Sequence, residues 1–432
     1  MSLATSSPVD AATCLALQPR GPLCLSGHAD GAVAFWQLGD DALSALHPPR
    51  RPARAPVTAA AFADDSVALT ADADGTVALW RVGTGDVMRL VAAKVGVPHA
   101  ALLAAASCVV VAGTTGLSLI APSRHGADEH ATVDALGPPR ANGGADACDC
   151  VCGLPSVGGI ASAGRSCVVI IWRVKYDPRN GRESLAMRCA LRGHRAPIRA
   201  LAAAPIHGAD RAARLVSADS DGLMRVWLLS DSVTRCLYEV TLDEAIAPRS
   251  AALALSSATE CPSLAYASKS GAVRMWSLPR AVLQFANEVE LDGGGTLPTG
   301  GTDCATLLSF VEGTLVAASG GGARAWNEDG SALEGVRDTR PPKPLMVLLC
   351  ASQSKLLLAG TADGSLLATL LLPHSEGAAD AQVPCADTQP RFELDDAVWR
   401  YLPPQVPVDA PADTTMTSVN SRTPYFAGAL AP

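Results

Sequence analysis

Aromatic residues are scarce in this chain of 432 residues, at 4%, and charged residues are few, at 18%, while 48% of the residues are hydrophobic. That composition is globular, with too much apolar content for a disordered chain of this length. A basic surplus is also missing: 34 Lys and Arg stand against 42 Asp and Glu, a net charge of −8. The footprint of a nucleic-acid binder is therefore absent. The one basic run, Arg50-Arg51-Pro52-Ala53-Arg54, has no interleaved aromatics and reads as a solvated loop. No apolar run is long. The longest, Ala100 to Ala112, is broken by Ser107 and falls short of the about 20 residues that a membrane span takes. Met1 to Asp10 lack the basic and apolar regions of a secretory signal, so the expectation is a soluble protein of the cytoplasm or nucleus.

The 13 cysteines include no CxxC pair. Strand alternation would put the thiols of the one cluster, Cys148, Cys150 and Cys152, on one face, too close and too parallel for a tetrahedral zinc site. They are expected to act as small buried hydrophobes in a reducing compartment, with no metal and no cofactor. Catalytic strings are missing too: there is no GxSxG, HExxH or GxxxxGK[ST]. The glycines of Asp292-Gly293-Gly294-Gly295 and Gly300-Gly301 precede neither a lysine nor a helix signal, and read as a loop rather than a phosphate cradle. His28, His47, His99, His125, His130, His207 and His374 share no motif.

What the sequence does have is a unit running from Gly193-His194 to Leu223-Met224-Arg225-Val226-Trp227. It holds three short β-type runs, Ile198 to Ala203, Leu215 to Ala218 and Leu223 to Trp227, the last two joined by the turn Asp219-Ser220-Asp221-Gly222. Ser217 lies ten residues before Trp227 and Asp221 six before it. The turn recurs at Gly31, Gly75, Gly116, Cys167, Gly222, Gly271, Gly321 and Gly364, at separations of 41 to 55 residues. A period in the forties is the signature of a propeller. Ser26 and Asp30 precede Trp36, and Thr70 and Asp74 precede Trp80, at the same offsets. Trp172, Trp276 and Trp326 close three further copies, and Ala121 and Thr369 replace the Trp in two.

This unit resembles a WD40 repeat. The resemblance implies a polar tetrad of His194, Ser217, Asp221 and Trp227, in which the turn acid accepts from the His, the His contacts the Ser and the Ser reaches the indole. It also implies an all-β fold: a single propeller over 1–373, expected to have eight blades, with the seven usual in the family as the alternative. None of the six repeat tryptophans is followed by Asp, so the Trp-Asp-x-Arg pattern tied to ubiquitin-ligase adaptors is absent. Closing the ring needs an outer strand for the last blade, for which Ser2 to Val9 and Phe392 to Leu394 compete.

Residues 374–432 form an acidic, proline-rich tail that reads as mostly disordered, with one apolar island near 390–402 able to dock. The function implied is a non-enzymatic scaffold whose rim loops bind other proteins; a hydrolase of the diphthine methylesterase type is the alternative. Of the eight positions just before the expected turn acid, only Arg165 and Lys269 are charged. With Arg195 they would form a cationic patch for an acidic or phosphorylated segment. Nucleic acid, membrane and small-molecule ligands are not implied.

Overall fold

The structure, a computed structural model, describes residues 3–5, 11–18, 21–38, 43–47, 49–52, 55–93, 95–105, 108–121, 132–136, 148–177, 182–206, 212–242, 253–256, 263–268, 272–278, 287–291, 307–311, 313–319, 322–332, 345–351, 356–361, 366–370 and 400–401. Lys269, Gly271, Gly321, Gly364, Phe392 to Leu394 and nearly all of the tail lie outside them.

Each short run between turns becomes a strand, and each period becomes one antiparallel sheet. After β1 (Leu3–Thr5), the first sheet is β2 (Ala12–Leu17), β3 (Leu23–His28), β4 (Val33–Leu38) and β5 (Leu43–Ala45). The second is β6 (Val57–Phe62), β7 (Val67–Asp72), β8 (Thr76–Arg81) and β9 (Asp86–Ala92). β10 (Pro98–Ala105), β11 (Cys108–Gly113), β12 (Gly116–Ala121) and β13 (Thr132–Leu136) make the third. The fourth is β14 (Cys148–Leu154), β15 (Gly159–Gly164), β16 (Val169–Asp177) and β17 (Arg182–Leu191). In the fifth, β18 (Ile198–Pro205), β19 (Ala212–Asp219), β20 (Leu223–Ser230) and β21 (Thr234–Thr241) carry an added strand described below. The sixth is β22 (Leu253–Leu255), β23 (Ser263–Ala267), β24 (Val273–Ser277) and β25 (Asn287–Val289), and the seventh β26 (Leu307–Val311), β27 (Thr314–Ser319) and β28 (Gly322–Trp326). β29 (Leu345–Ala351), β30 (Leu356–Thr361) and β31 (Leu366–Leu370) make the eighth, and β1 pairs with β31, Leu3 opposite Ala368 and Thr5 opposite Leu366. The last strand, β32 (Arg400–Tyr401), is the fifth strand on β21. The N-terminal segment, not one in the tail, thus lies on the outer edge of the last sheet.

The core sits between sheets, because both faces of every middle strand are covered. Leu25 and Phe35 pack with Phe62 and Trp80 between the first and second sheets. Leu69 and Leu79 meet Val109 and Ile120 between the second and third. Val110 and Leu119 meet Ile160 and Trp172, and Val169 and Ile171 meet Leu215 and Trp227. In the three of these cores that hold a Trp, it belongs to the later sheet and faces the earlier one. Trp36, in the first sheet, faces Leu358 and Leu366 of the eighth. The first strands of the sheets are neighbours in sequence, from β2 beside β6 to β26 beside β29, and β29 also neighbours β2.

The repeated turn has one geometry. The N–H of Gly31, Gly75 and Gly222 donates to the carbonyl of His28, Asp72 and Asp219 respectively, and the three glycines have φ of 79°, 82° and 84°. That left-handed conformation costs a glycine nothing. In the fourth sheet Cys167 donates to Gly164 in the same way and takes the same conformation at φ 60°, the one non-glycine to do so among the described residues.

Candidate functional site

The expected polar chain exists in the fifth sheet, with one member changed. Trp227 Nε1 donates to Ser217 Oγ at 2.8 Å, Ser217 Oγ lies 2.7 Å from His194 Nε2, and His194 Nδ1 lies 2.8 Å from Asp219 Oδ2. A self-consistent chain has the serine donating to Nε2 and the imidazole donating from Nδ1. The acid is Asp219, not Asp221. Alternation along β19 puts positions 217 and 219 on one face, whereas Asp221 sits exposed at the turn tip, two residues past the strand's end. The second oxygen of Asp219 accepts the N–H of Asp221 at 3.1 Å and of Leu223 at 2.9 Å, so one carboxylate both closes the turn and holds the loop histidine.

The same position, two residues after the Ser or Thr, serves in other sheets. Asp72 accepts from Asp74 and Thr76, and Ser268, which follows Tyr266 by two in the sixth sheet, accepts from Ala272. His28 holds the place in the first sheet, its Nε2 2.8 Å from Ser26 Oγ, which accepts from Trp36 Nε1 at 2.8 Å. His28 is thus no stray histidine. Trp80 donates to Thr70, and Trp172 to Ser162. Where the loop histidine is missing, space is left. A small, shallow cleft in the second sheet is lined by Pro52, Val57, Thr70, Asp72, Thr76, Ala78 and Leu90. By register these match Gly193, Ile198, Ser217, Asp219, Leu223, Arg225 and Glu239. Burial pushes the Asp72 carboxyl up, against the two turn N–H groups.

Asp219, His194 and Ser217 have the connectivity of a nucleophile triad, yet the geometry withholds the nucleophile. Ser217 is 0% exposed and its oxygen is already engaged by the Trp227 indole. A hydroxyl in that position holds elements together and cannot meet a substrate.

A second constellation lies on the first strands. In six sheets a β-bulge falls at the second residue, namely Thr13, Thr58, His99, Asp149, Arg199 and Met346. A bulge re-aims one side chain without moving the rest of the strand. Three adjacent sheets thereby bring His99, Asp149 and Arg199 into one file. Arg199 Nη1 donates to Asp149 Oδ2 at 3.2 Å. Desolvation pushes the His99 imidazole down and the Asp149 carboxylate opposes it. Ser220 N–H donates to the Pro197 carbonyl, which ties the turn of the fifth sheet to the loop entering β18 and puts both at the bulge end. Arg195 in that loop, Arg165 in the turn of the fourth sheet and Arg199 are all exposed. Of the expected patch, Arg165 and Arg195 lie on this face, and Lys269 lies outside the described residues. Sequence reasoning passed over the bulge residues, whose one signal, at five of the six, is a polar side chain second in an apolar first strand.

The bulge at Asp149 also divides the cysteine cluster. Cys148 faces the third sheet while Cys150 and Cys152 pack toward the fifth, so the three thiols do not share a face. Burial pushes the Cys148 and Cys152 thiols up to about 12. Two arginines of the basic run are engaged at the surface: Arg50 pairs with Asp86 at 2.9 Å, and Arg51 Nε donates to Asp30 Oδ2 at 2.9 Å. Asp30, expected as a turn acid, holds that pair and the N–H of Ala32 instead.

No family model and no curated protein matches the sequence. Solved structures do. The computationally designed protein Ika8 is 19% identical with a TM-score of 0.57, over 85% of this chain and 98% of its own. Sqt1 of Saccharomyces cerevisiae is 12% identical with a TM-score of 0.62, over 86% of this chain and 98% of its own. At such identities the likeness is one of fold, and with the succession of antiparallel sheets it makes this chain a β-propeller.

Proposed function

We propose that the eight sheets are the blades of one closed WD40-type ring, and that the chain is a non-enzymatic intracellular adaptor. Its partner is a protein with an acidic or phosphorylated segment, bound at the bulge end of the ring. The observation that carries the reading is the file of bulge residues, His99, Asp149 and Arg199, flanked by exposed Arg165 and Arg195 on the same face. Asp149 engages Arg199, and Arg165 and Arg195 stay exposed beside that pair on an otherwise acidic protein. Guanidinium groups there are suited to bidentate engagement of carboxylate or phosphate. The hydrolase reading loses its best nucleophile with the burial of Ser217.

The test compares pull-downs from cell extract by wild type, by Arg165→Ala/Arg195→Ala/Lys269→Ala and by Arg199→Ala, over a range of salt. The triple variant is expected to lose partners that wild type retains at low salt and releases at high salt. Undiminished recovery of every partner by both variants would remove the bulge end from consideration.

A further inference from the structure

Among the described residues the second sheet is the one that keeps the indole, hydroxyl and acid of the fifth without the histidine between them. Trp80 Nε1 donates to Thr70 Oγ1 at 2.9 Å, as Trp227 does to Ser217. Asp72 holds the place of Asp219, and it accepts the N–H groups of Asp74 and Thr76 on Oδ1, at 3.1 and 2.8 Å. Asp219 likewise uses Oδ1 for its turn and gives Oδ2 to His194. Four residues before its first strand, where the fifth sheet has His194, the second has Ala53, which lies outside the described residues. Asp72 Oδ2 and the hydroxyl hydrogen of Thr70 thus have no partner among the described residues, although Asp72 is 5% and Thr70 2% exposed. Buried polar groups left in this way are uncommon and costly.

Two further differences open the place from outside. In the fifth sheet Arg225 lies so close to the loop that a Cβ on Gly193 would stand 2.0 Å from its Nη1, and it is ion-paired with Glu239. The matching residues of the second sheet are Ala78 and Leu90, which wall the shallow cleft together with Pro52 and Val57. Leu90 is 51% exposed at its lip. The rim is braced: Arg50 exchanges backbone hydrogen bonds with Val33 and pairs with Asp86, and Arg51 pairs with Asp30. The chain entering Pro52 is thereby held to both the first and the second sheet.

We propose that this cleft is a docking site for an imidazole, supplied as the side chain of a histidine in a partner protein. The ring's N–H meets Asp72 Oδ2 and its other nitrogen accepts from Thr70, the pairing that His194 makes with Asp219 and Ser217 in the same molecule. An ammonium or guanidinium offers no acceptor to Thr70, and a carboxylate would face Asp72 with like charge. Because the cleft is shallow, a free ring buries little against the freedom it loses on binding, whereas a ring carried by a docked segment arrives tethered. Pro52 and Leu90 at the rim suit an aliphatic neighbour in that segment. The site uses none of Arg165, Arg195 and Arg199, so either proposal can fail without the other.

The experiment follows the indole N–H resonance of Trp80 in the full chain by NMR, since that group donates to Thr70, with Trp227 as the internal control. Titration with 4-methylimidazole is expected to shift the Trp80 resonance saturably, with a dissociation constant on the order of 1–10 mM, and to leave Trp227 in place. Its isomer 1-methylimidazole, which has the acceptor nitrogen and no N–H, is expected to bind about tenfold or more weakly. A blocked Gly-His-Leu-Gly peptide is expected to bind about tenfold more tightly than the free ring, and Gly-Ala-Leu-Gly to leave Trp80 unshifted. In Ala53→His the chain supplies its own ring, so Trp80 is expected at a new position without ligand and 4-methylimidazole to move it no further. The wild-type titrations decide the matter whether or not that variant folds. Absence of a saturable Trp80 shift, or equal binding of the two methylimidazoles, overturns the proposal. A peptide no tighter than the free ring overturns the partner protein as the source.

Discussion

A buried serine hydroxyl between an indole and an imidazole has no water to fall back on. Ser217 is 0% exposed, so each of its bonds is either made within the protein or lost. Asp219→Ala removes the acceptor of His194 Nδ1 and of two turn N–H groups, and is expected to cost about 1–3 kcal/mol or more in denaturant unfolding. Asp221→Ala, at the exposed tip, is expected to stay within about 0.5 kcal/mol. Comparable losses in the two would mean that the turn, and not the chain of polar groups, sets the stability. His194, Ser217 and Trp227 could be found from the sequence because their spacing is unusual against an apolar background. The acid could not be found from that spacing, since Asp219 and Asp221 both flank the same glycine turn. The end of the strand separates them: Asp219 is the last residue of β19, two past Ser217, while Asp221 lies beyond it in the turn, and the position two past Ser26 is His28.

At the level of strands and turns, the conformation of one turn position repeats while its residue does not. Gly31, Gly75 and Gly222 take left-handed φ freely, and Cys167 takes it against steric resistance. Cys167→Gly is expected to raise stability by about 0.5–1 kcal/mol, the relief of left-handed strain less the greater backbone entropy that glycine loses on folding. Urea midpoints would read this, and an unchanged or lower midpoint would assign the cysteine a packing role that outweighs the strain. Such turns made the hairpins legible. Strand interiors were less so, because many positions are alanine, a weak strand former, and only burial on both faces favours Ala59, Ala61, Ala71 and their like there. The bulges were hidden for another reason. A single extra residue leaves no mark in a strand whose partner is chosen by sequence order, and that is why Cys148 was expected on the face of Cys150.

Over the whole molecule the first and last sheets are joined twice: through the contact of Trp36 with Leu358 and Leu366, and through β1 on β31. Removing residues 2–9 is expected to deprotect β31 in hydrogen exchange and lower the melting temperature, while removing 420–432 leaves both unchanged. If the first deletion leaves both measures unchanged, β1 contributes nothing to holding the last sheet. The sequence could not choose between the two ends for this role. Ser2 to Val9 are serine-rich and carry Pro8, and a three-residue strand has too few positions to show a period.

The orientation of the tryptophans has a consequence for synthesis on the ribosome. Trp80, Trp172 and Trp227 each lean on a sheet made before their own, so those faces can be covered as the chain emerges. Trp36 leans on one made roughly 330 residues later. At about 5–20 residues per second, its apolar face waits roughly 15–65 s for Leu358 and Leu366 to appear. For that interval the nascent chain displays a sticky, aromatic surface at its oldest end, where a chaperone that holds emerging polypeptides would find it.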